Sequence, residues 1–168
     1  MIYADYRYTG NSRLIKKYYE ALKAKTLYEL ADQNGLISTS KITPGFMHKL
    51  GLEDGNKKNL IDMAEASGDR SKNPKHGTVK NAYYTSINAL YYQNMKIMAE
   101  FAEIMGKTEE AWDFNIRAIK AKQMLNKKMF DGAKGVYVDG MGMEQASLVA
   151  NTLPLLFRIV PQQHISGV

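Results

Sequence analysis

The chain contains no cysteine, which excludes disulfide frameworks, thiolate metal sites and a cysteine nucleophile. The fold must stand on packing. Its histidines, His48, His76 and His164, share no metal-ligand spacing, so neither a metal nor a cofactor is expected. No stretch approaches the roughly 18 consecutive apolar residues of a membrane helix. The N-terminal Met1-Ile2-Tyr3-Ala4-Asp5-Tyr6-Arg7 lacks the basic-then-apolar run of a signal peptide. Excess acid is missing too: 23 Lys and Arg stand against 17 Asp and Glu, a net charge of +6. The basic residues fall in scattered pairs such as Lys16-Lys17, Lys57-Lys58 and Lys127-Lys128, without a groove-reading motif. A solvated surface is expected, with no nucleic-acid and no membrane partner.

What the chain does have is apolar periodicity. Its 168 residues, 45% of them hydrophobic, suffice for one domain with a real core. From Thr78 to Phe130 the pattern predicts two antiparallel helices joined by a tight turn at Gly106-Lys107. In the first, Val79, Tyr83, Ile87, Leu90, Met98, Phe101 and Met105 form one face and Ala82, Ala89, Tyr91, Met95 and Ala102 a second row. No charge falls between Asn81 and Met95, so this helix should be covered on more than one side. The second helix has a narrower stripe, Ala111, Phe114, Ala118, Ala121 and Leu125. Thr108 is placed to cap it, acids stand at its start and lysines at its end. Tyr83, Tyr84, Tyr91 and Tyr92 read better as core, with hydroxyls reaching the rim, than as a stacking ladder for sugars. Trp112 is expected to pack between neighbouring hairpins.

Outside this hairpin, Met1 to Tyr8 reads as the last turns of a helix, ended at Thr9-Gly10-Asn11. Ser12 is placed to cap a helix carrying Ile15, Tyr19, Leu22, Thr26 and Leu30 on one side, closed by Asn34-Gly35. Leu36 to Thr39 reads as extended. The segment from Lys41 to Gly77 is rich in glycine and reads as a long loop, with at most a helical turn or two near Phe46 to Leu50. Loops of that length in a compact domain are commonly functional. Gly135 to Gly140 reads as a short strand, and a last helix, containing Pro154, is predicted from about Gln145 to Arg158. A faint repeat runs through the whole. Gly10, a helix and Gly35-Leu36-Ile37 echo Gly106, a helix and Gly135-Val136-Tyr137. The spacing is too long for a solenoid and favours hairpins of a closed toroid, with loops gathered at one end.

Matched segments in order carry a family resemblance: Tyr8 to Asn11, Asn34 to Thr39, Thr78 to Tyr84, Ala99 to Lys107, Asn126 to Asp131, Gly135 to Gly140, Ser147 to Asn151 and Val160-Pro161. Together they resemble the catalytic domain of bacterial α-L-rhamnosidases, which are six-hairpin glycosidases. The resemblance implies an all-α fold of stacked antiparallel helical hairpins, part of an (α/α)6 toroid. Residues 1–168 would form a single partial domain from its middle. It implies inverting hydrolysis of terminal α-L-rhamnosides by two carboxyl groups roughly 6.5–9.5 Å apart. In the family the acid belongs to an earlier segment and the base to a later hairpin, so no residue here receives a catalytic role. Where the family tends to show Asp-Trp-Pro and then Arg-Asp, this chain has Asp62-Met63-Ala64-Glu65 and then Gly68-Asp69-Arg70. Where the family places histidines around Ser-Leu, it has Gln145-Ala146-Ser147-Leu148-Val149.

The candidate substrate-binding residues are Asp62, Glu65, Asp69, Asn81 and Glu144. The three loop acids stand close in sequence, as a cluster for sugar hydroxyls or a cation would, although exposed loop acids are also common. Asn81 offers an amide to a ligand or to the loop backbone. Glu144 precedes the last helix, where an acid is stabilised with or without a ligand. A rhamnoside is the expected partner once the site is completed, and apolar hairpin flanks left bare predict homo-oligomerisation. The alternative is a helical-hairpin interaction module without chemistry.

Overall fold

A computed structural model describes residues 1–38 and 83–168, together with Thr43, Gly45 and His48. Gly45 and His48 are helical, within or beside the stretch where a helical turn was expected. The described α-helices are α1 (Ile2–Thr9), α2 (Arg13–Lys25), α3 (Thr85–Ile104), α4 (Thr108–Lys128) and α5 (Leu148–Leu156). Strands β1 (Phe130–Asp131) and β2 (Val136–Tyr137) form a two-residue antiparallel ladder, Phe130 opposite Tyr137 and Asp131 opposite Val136. The architecture is that of the predicted all-α array: α1 turns into α2 at Gly10, and α3 into α4 at Gly106.

Helix α3 is the central element. It packs on α4 along its length and touches α5 and α2. The Tyr3 and Phe101 rings, 6.1 Å apart, join it to α1. Ten of its residues are buried, Tyr91, Met95, Met98 and Phe101 among them, as the chargeless run implied. Leu90 departs from the expected stripe and is 36% exposed. Helix α4 buries the five residues its pattern predicted, Ala111, Phe114, Ala118, Ala121 and Leu125. Small residues at 111, 118 and 121 let its backbone approach α3 closely.

The end of α2 and the turn that follows it run beside α4 in the same direction. Going along both, Lys23 Nζ meets Glu110 Oε2 at 2.6 Å, the Tyr28 ring meets Phe114, and the Gln33 carbonyl accepts from Lys120 Nζ at 2.6 Å. Glu110 also accepts from Lys107 at 3.0 Å and from the Tyr19 hydroxyl at 3.2 Å. The Lys23 and Lys107 ammonium groups draw its carboxyl down to about 2. Most of this network is reached by water, so it fixes register more than it adds stability.

Several local expectations are corrected. Helix α3 begins at Thr85, because the backbone just before it is bonded to another segment: Tyr83 O accepts from Met141 N at 3.0 Å and Thr85 N donates to Asp139 O at 2.8 Å. Tyr84 is extended and bridges Gly140. Residues 78–82 lie outside the described residues. Helix α2 stops at Lys25, and Leu27 takes the left-handed conformation before a 3-10 turn at Tyr28–Leu30. Gly35 therefore serves the tight turn between Ala31 and Ile37, which form a β-bridge, and not a helix end. Neither Ser12 nor Thr108 caps through its side chain; Asn11 Oδ1 accepts from Arg13 N, and α4 starts at Thr108 itself. Helix α5 starts at Leu148, capped by the Ser147 hydroxyl, with Pro154 inside it. Trp112 is 68% exposed among the described residues.

The repeat seen in the sequence is structural. Gly10, Gly35, Gly106 and Gly135 all have positive φ, between 68° and 77°, where a side chain would be strained. Each hairpin is followed by one extended residue, Ile37 or Tyr137, and each of these is gripped by an asparagine of the next helix. Ile37 N–H donates to Asn88 Oδ1 at 2.7 Å, and Asn88 Nδ2 donates to Ile37 O at 3.0 Å and to Tyr84 O at 2.9 Å. In the second unit Tyr137 N–H donates to Asn151 Oδ1 at 2.8 Å, and Asn151 Nδ2 donates to Tyr137 O and Ser147 O. Asn88 and Asn151 are each the fourth residue of their helices. The carboxamide reproduces the paired bonds of an opposing strand residue.

Removing such a group orphans a buried N–H and C=O. Asn88→Ala is expected to cost about 2–4 kcal/mol in urea unfolding, and Asn94→Ala, at an exposed position of the same helix, under about 0.5 kcal/mol. Equal costs would refute the clamp.

Candidate functional site

The loop-bearing end of the hairpins carries the candidate site. Three segments converge there: Asp32 to Ser38, Tyr83 to Thr85, and Val138 to Ser147. The first is a turn organised by one carboxylate. Asp32 Oδ1 accepts from Asn34 N at 2.8 Å and Leu36 N at 3.3 Å, while Oδ2 accepts from Asn34 Nδ2 at 2.9 Å and the Tyr83 hydroxyl at 2.7 Å. Burial pushes the Asp32 carboxyl up, but the bonds from Tyr83, Asn34 and Leu36 together outweigh it and leave it below the ordinary carboxylate range. The bond to Asp32 and partial burial hold the Tyr83 phenol above its ordinary value. Asp32 is thus kept ionised and Tyr83 protonated, a lock between the first hairpin and the entrance to α3.

The third segment is fixed by Asp139 and Gly140. Asp139 Oδ1 accepts from Ser147 N at 2.7 Å, and its backbone N–H donates to Gln145 O at 2.7 Å. Thr85 donates its hydroxyl to Val138 O at 2.5 Å. A Cβ on Gly140 would lie 2.6 Å from Tyr83 O, so only glycine lets the two backbones approach this closely. Asp131 accepts from Ala133 N and Lys134 N, and these amides together draw its carboxyl down.

Of the sequence-derived candidates, Asp62, Glu65, Asp69 and Asn81 lie outside the described residues. Glu144 is described: it is exposed, three residues before the Ser147 cap and hence outside α5, and its backbone carbonyl accepts from Lys134 Nζ at 3.3 Å. Four acids surround this end among the described residues. Asp32, Asp131 and Asp139 accept from backbone amides, and Glu144 alone has no hydrogen bond or ion pair drawn to its carboxylate. Tyr83 sends its hydroxyl to the rim, while Tyr84 and Tyr91 are core. The Tyr91 hydroxyl is buried without a hydrogen-bond partner, the nearby Arg117 guanidinium being directed at Asp113. No group of three His, Asp or Glu side chains among the described residues is placed to hold a metal.

A family model described as the bacterial alpha-L-rhamnosidase 6 hairpin glycosidase domain matches residues 1–168. The chain belongs to this family. A search of curated proteins finds no match. In this six-hairpin glycosidase domain, sequence reasoning missed Asn88, Asn151 and the Asp32–Tyr83 pair. The asparagines had a signal: each is a polar residue in an uncharged stretch, the first half of α3 and the whole of α5, four residues after Tyr84 and Ser147. The Asp32–Tyr83 pair had none, since its partners are 51 residues apart.

Asp32 contributes stability above the usual carboxylate range near 3.9, lost as pH falls through its lowered folded value. Tyr83→Phe is expected to raise the Asp32 pKa in a carbon-13 NMR titration and to cost about 1 kcal/mol at neutral pH. The difference from the parent should narrow below about pH 4. An unmoved Asp32 titration would show that the hydroxyl does not hold the carboxylate.

Proposed function

We propose that this glycosidase domain serves the hydrolysis of terminal α-L-rhamnosides with inversion, that the loop end between hairpins is the sugar side, and that the chain alone does not turn over the glycoside. The family match supports the reaction class. The observation carrying the last point is chemical. Inverting hydrolysis needs one carboxyl protonated and a second ionised across the bond, roughly 6.5–9.5 Å away. At the described loop end three of the four acids are committed to backbone amides, and Asp32 is held in the ionised state that a proton donor must avoid.

Glu144, with Asp62, Glu65 and Asp69 from the long loop and Asn81 just after it, is assigned to sugar contact. An exposed carboxylate accepts from vicinal hydroxyls without any change of protonation. Purified chain incubated with an aryl α-L-rhamnoside is expected to release no phenol above the buffer rate. Titration with L-rhamnose should perturb the Glu144 resonances, and Glu144→Gln, which keeps a neutral acceptor oxygen, should weaken binding about threefold to tenfold. Release of phenol would overturn the inactivity. Rhamnose binding indifferent to Glu144→Gln would remove that residue from the sugar site.

A further inference from the structure

Glu144 stands in the loop 140–146, and the hydrogen bonds that shape this loop converge on Asp139, the residue before it. The Asp139 N–H donates to Gln145 O at 2.7 Å, so its backbone draws the two ends of the loop together. Its Oδ1 accepts at 2.7 Å from the N–H of Ser147, the first residue past the loop. Its carbonyl accepts from Thr85 N at 2.8 Å, where α3 begins. Ser147 is held in turn by the helix it opens: its hydroxyl accepts from Ala150 N at 3.2 Å and its carbonyl from Asn151 Nδ2 at 2.9 Å. The base of the loop is thus fastened to α3 on one side and to α5 on the other. Within the loop, Met141 N donates to Tyr83 O and Met143 N to Gly140 O, both at 3.0 Å. Beyond Met143, Lys134 Nζ reaches the Glu144 carbonyl at 3.3 Å.

A loop holding Gly140 and Gly142 has little stiffness of its own. An exposed carboxylate that meets sugar hydroxyls loses affinity to whatever ordering it must undergo on binding, so a backbone fixed beforehand favours the contact. The Asp139 side chain is placed to provide this. A bond from a backbone N–H to a carboxylate is among the stronger hydrogen bonds in a protein, and this one joins the exit of the loop to a residue already tied to α3. We propose that Asp139 is a positioning residue for sugar recognition: by holding Ser147 N it fixes the exit of the loop 140–146 and, through it, the place of the Glu144 carboxylate. This role rests on the assignment of Glu144 to sugar contact and lies one step behind it. Asp139 acts through Glu144 and not on the sugar.

Asp139→Ala removes the bond to Ser147 N and leaves the backbone bonds of residue 139 in place, whereas Asp139→Asn keeps an acceptor oxygen for that amide. In nitrogen-15 relaxation of the full chain, order at Met143, Glu144 and Gln145 should fall in Asp139→Ala and return to that of the parent in Asp139→Asn, with circular dichroism unchanged in both. Asp139→Ala should bind L-rhamnose about threefold to tenfold more weakly than the parent, as expected when one side chain must be ordered on binding, and Asp139→Asn as tightly as the parent. In the Glu144→Gln background Asp139→Ala should weaken binding little further, because the two changes act on one contact. A general loosening of the structure would weaken both backgrounds alike. Unchanged loop order in Asp139→Ala, Asp139→Asn no better than Asp139→Ala, or full additivity with Glu144→Gln would each overturn the positioning role. A parent that bound no rhamnose would instead end the sugar reading of Glu144, and the role of Asp139 toward sugar with it, even where relaxation showed the loop loosened.

Discussion

The fold depends on a carboxamide gripping a peptide. Asn88 binds both the N–H and the C=O of Ile37, and Asn151 does the same for Tyr137, each from the fourth position of the helix that opens the next hairpin. Apolar burial between helices is non-directional and leaves small displacements along the seam open. The clamp is not. A one-residue shift of α3 would present Ile87 or Ala89 to a buried peptide that then has no partner. Register between successive hairpins is set there, while burial along α3 supplies most of the stabilisation. The four left-handed glycines serve the same end by turning the chain where each unit must reverse.

How much of this was legible in the sequence follows from the range of each interaction. The core stripe of α4 was readable residue by residue, since helical periodicity is local and its small residues leave no other face for packing. Gly10 and Gly106 were readable as turns for the same reason. The start of α3 was not, because Tyr83 and Tyr84 have the apolar pattern of the helix but are drawn out of it by Asp139 and Met141, some 55 residues away. Helix α2 was overextended past Lys25 because Leu30 keeps the period, although a left-handed Leu27 interrupts the backbone. The repeat was visible through its glycines and invisible through its asparagines, whose partners are 51 and 14 residues distant.

The candidate site was less legible than the fold, and the reason is again physical. Carboxylates that bind a sugar and carboxylates that cap a turn are the same residue type in the same kind of loop. Their bonds separate them: Asp32, Asp131 and Asp139 organise backbone, whereas Glu144 faces water with its oxygens uncommitted. Family membership fixes the class of chemistry as glycosidase. The local hydrogen bonds then show what three of these acids do, which is to hold loops in place.

Native-state hydrogen exchange tests the clamp most directly, through the amides of Ile37 and Tyr137. If each is held by its asparagine, both should exchange only through global opening, as slowly as the amides of Met95 and Met98 in α3. Exchange of either at the rate of the exposed Glu144 amide would mean that the carboxamides do not hold the hairpins in register.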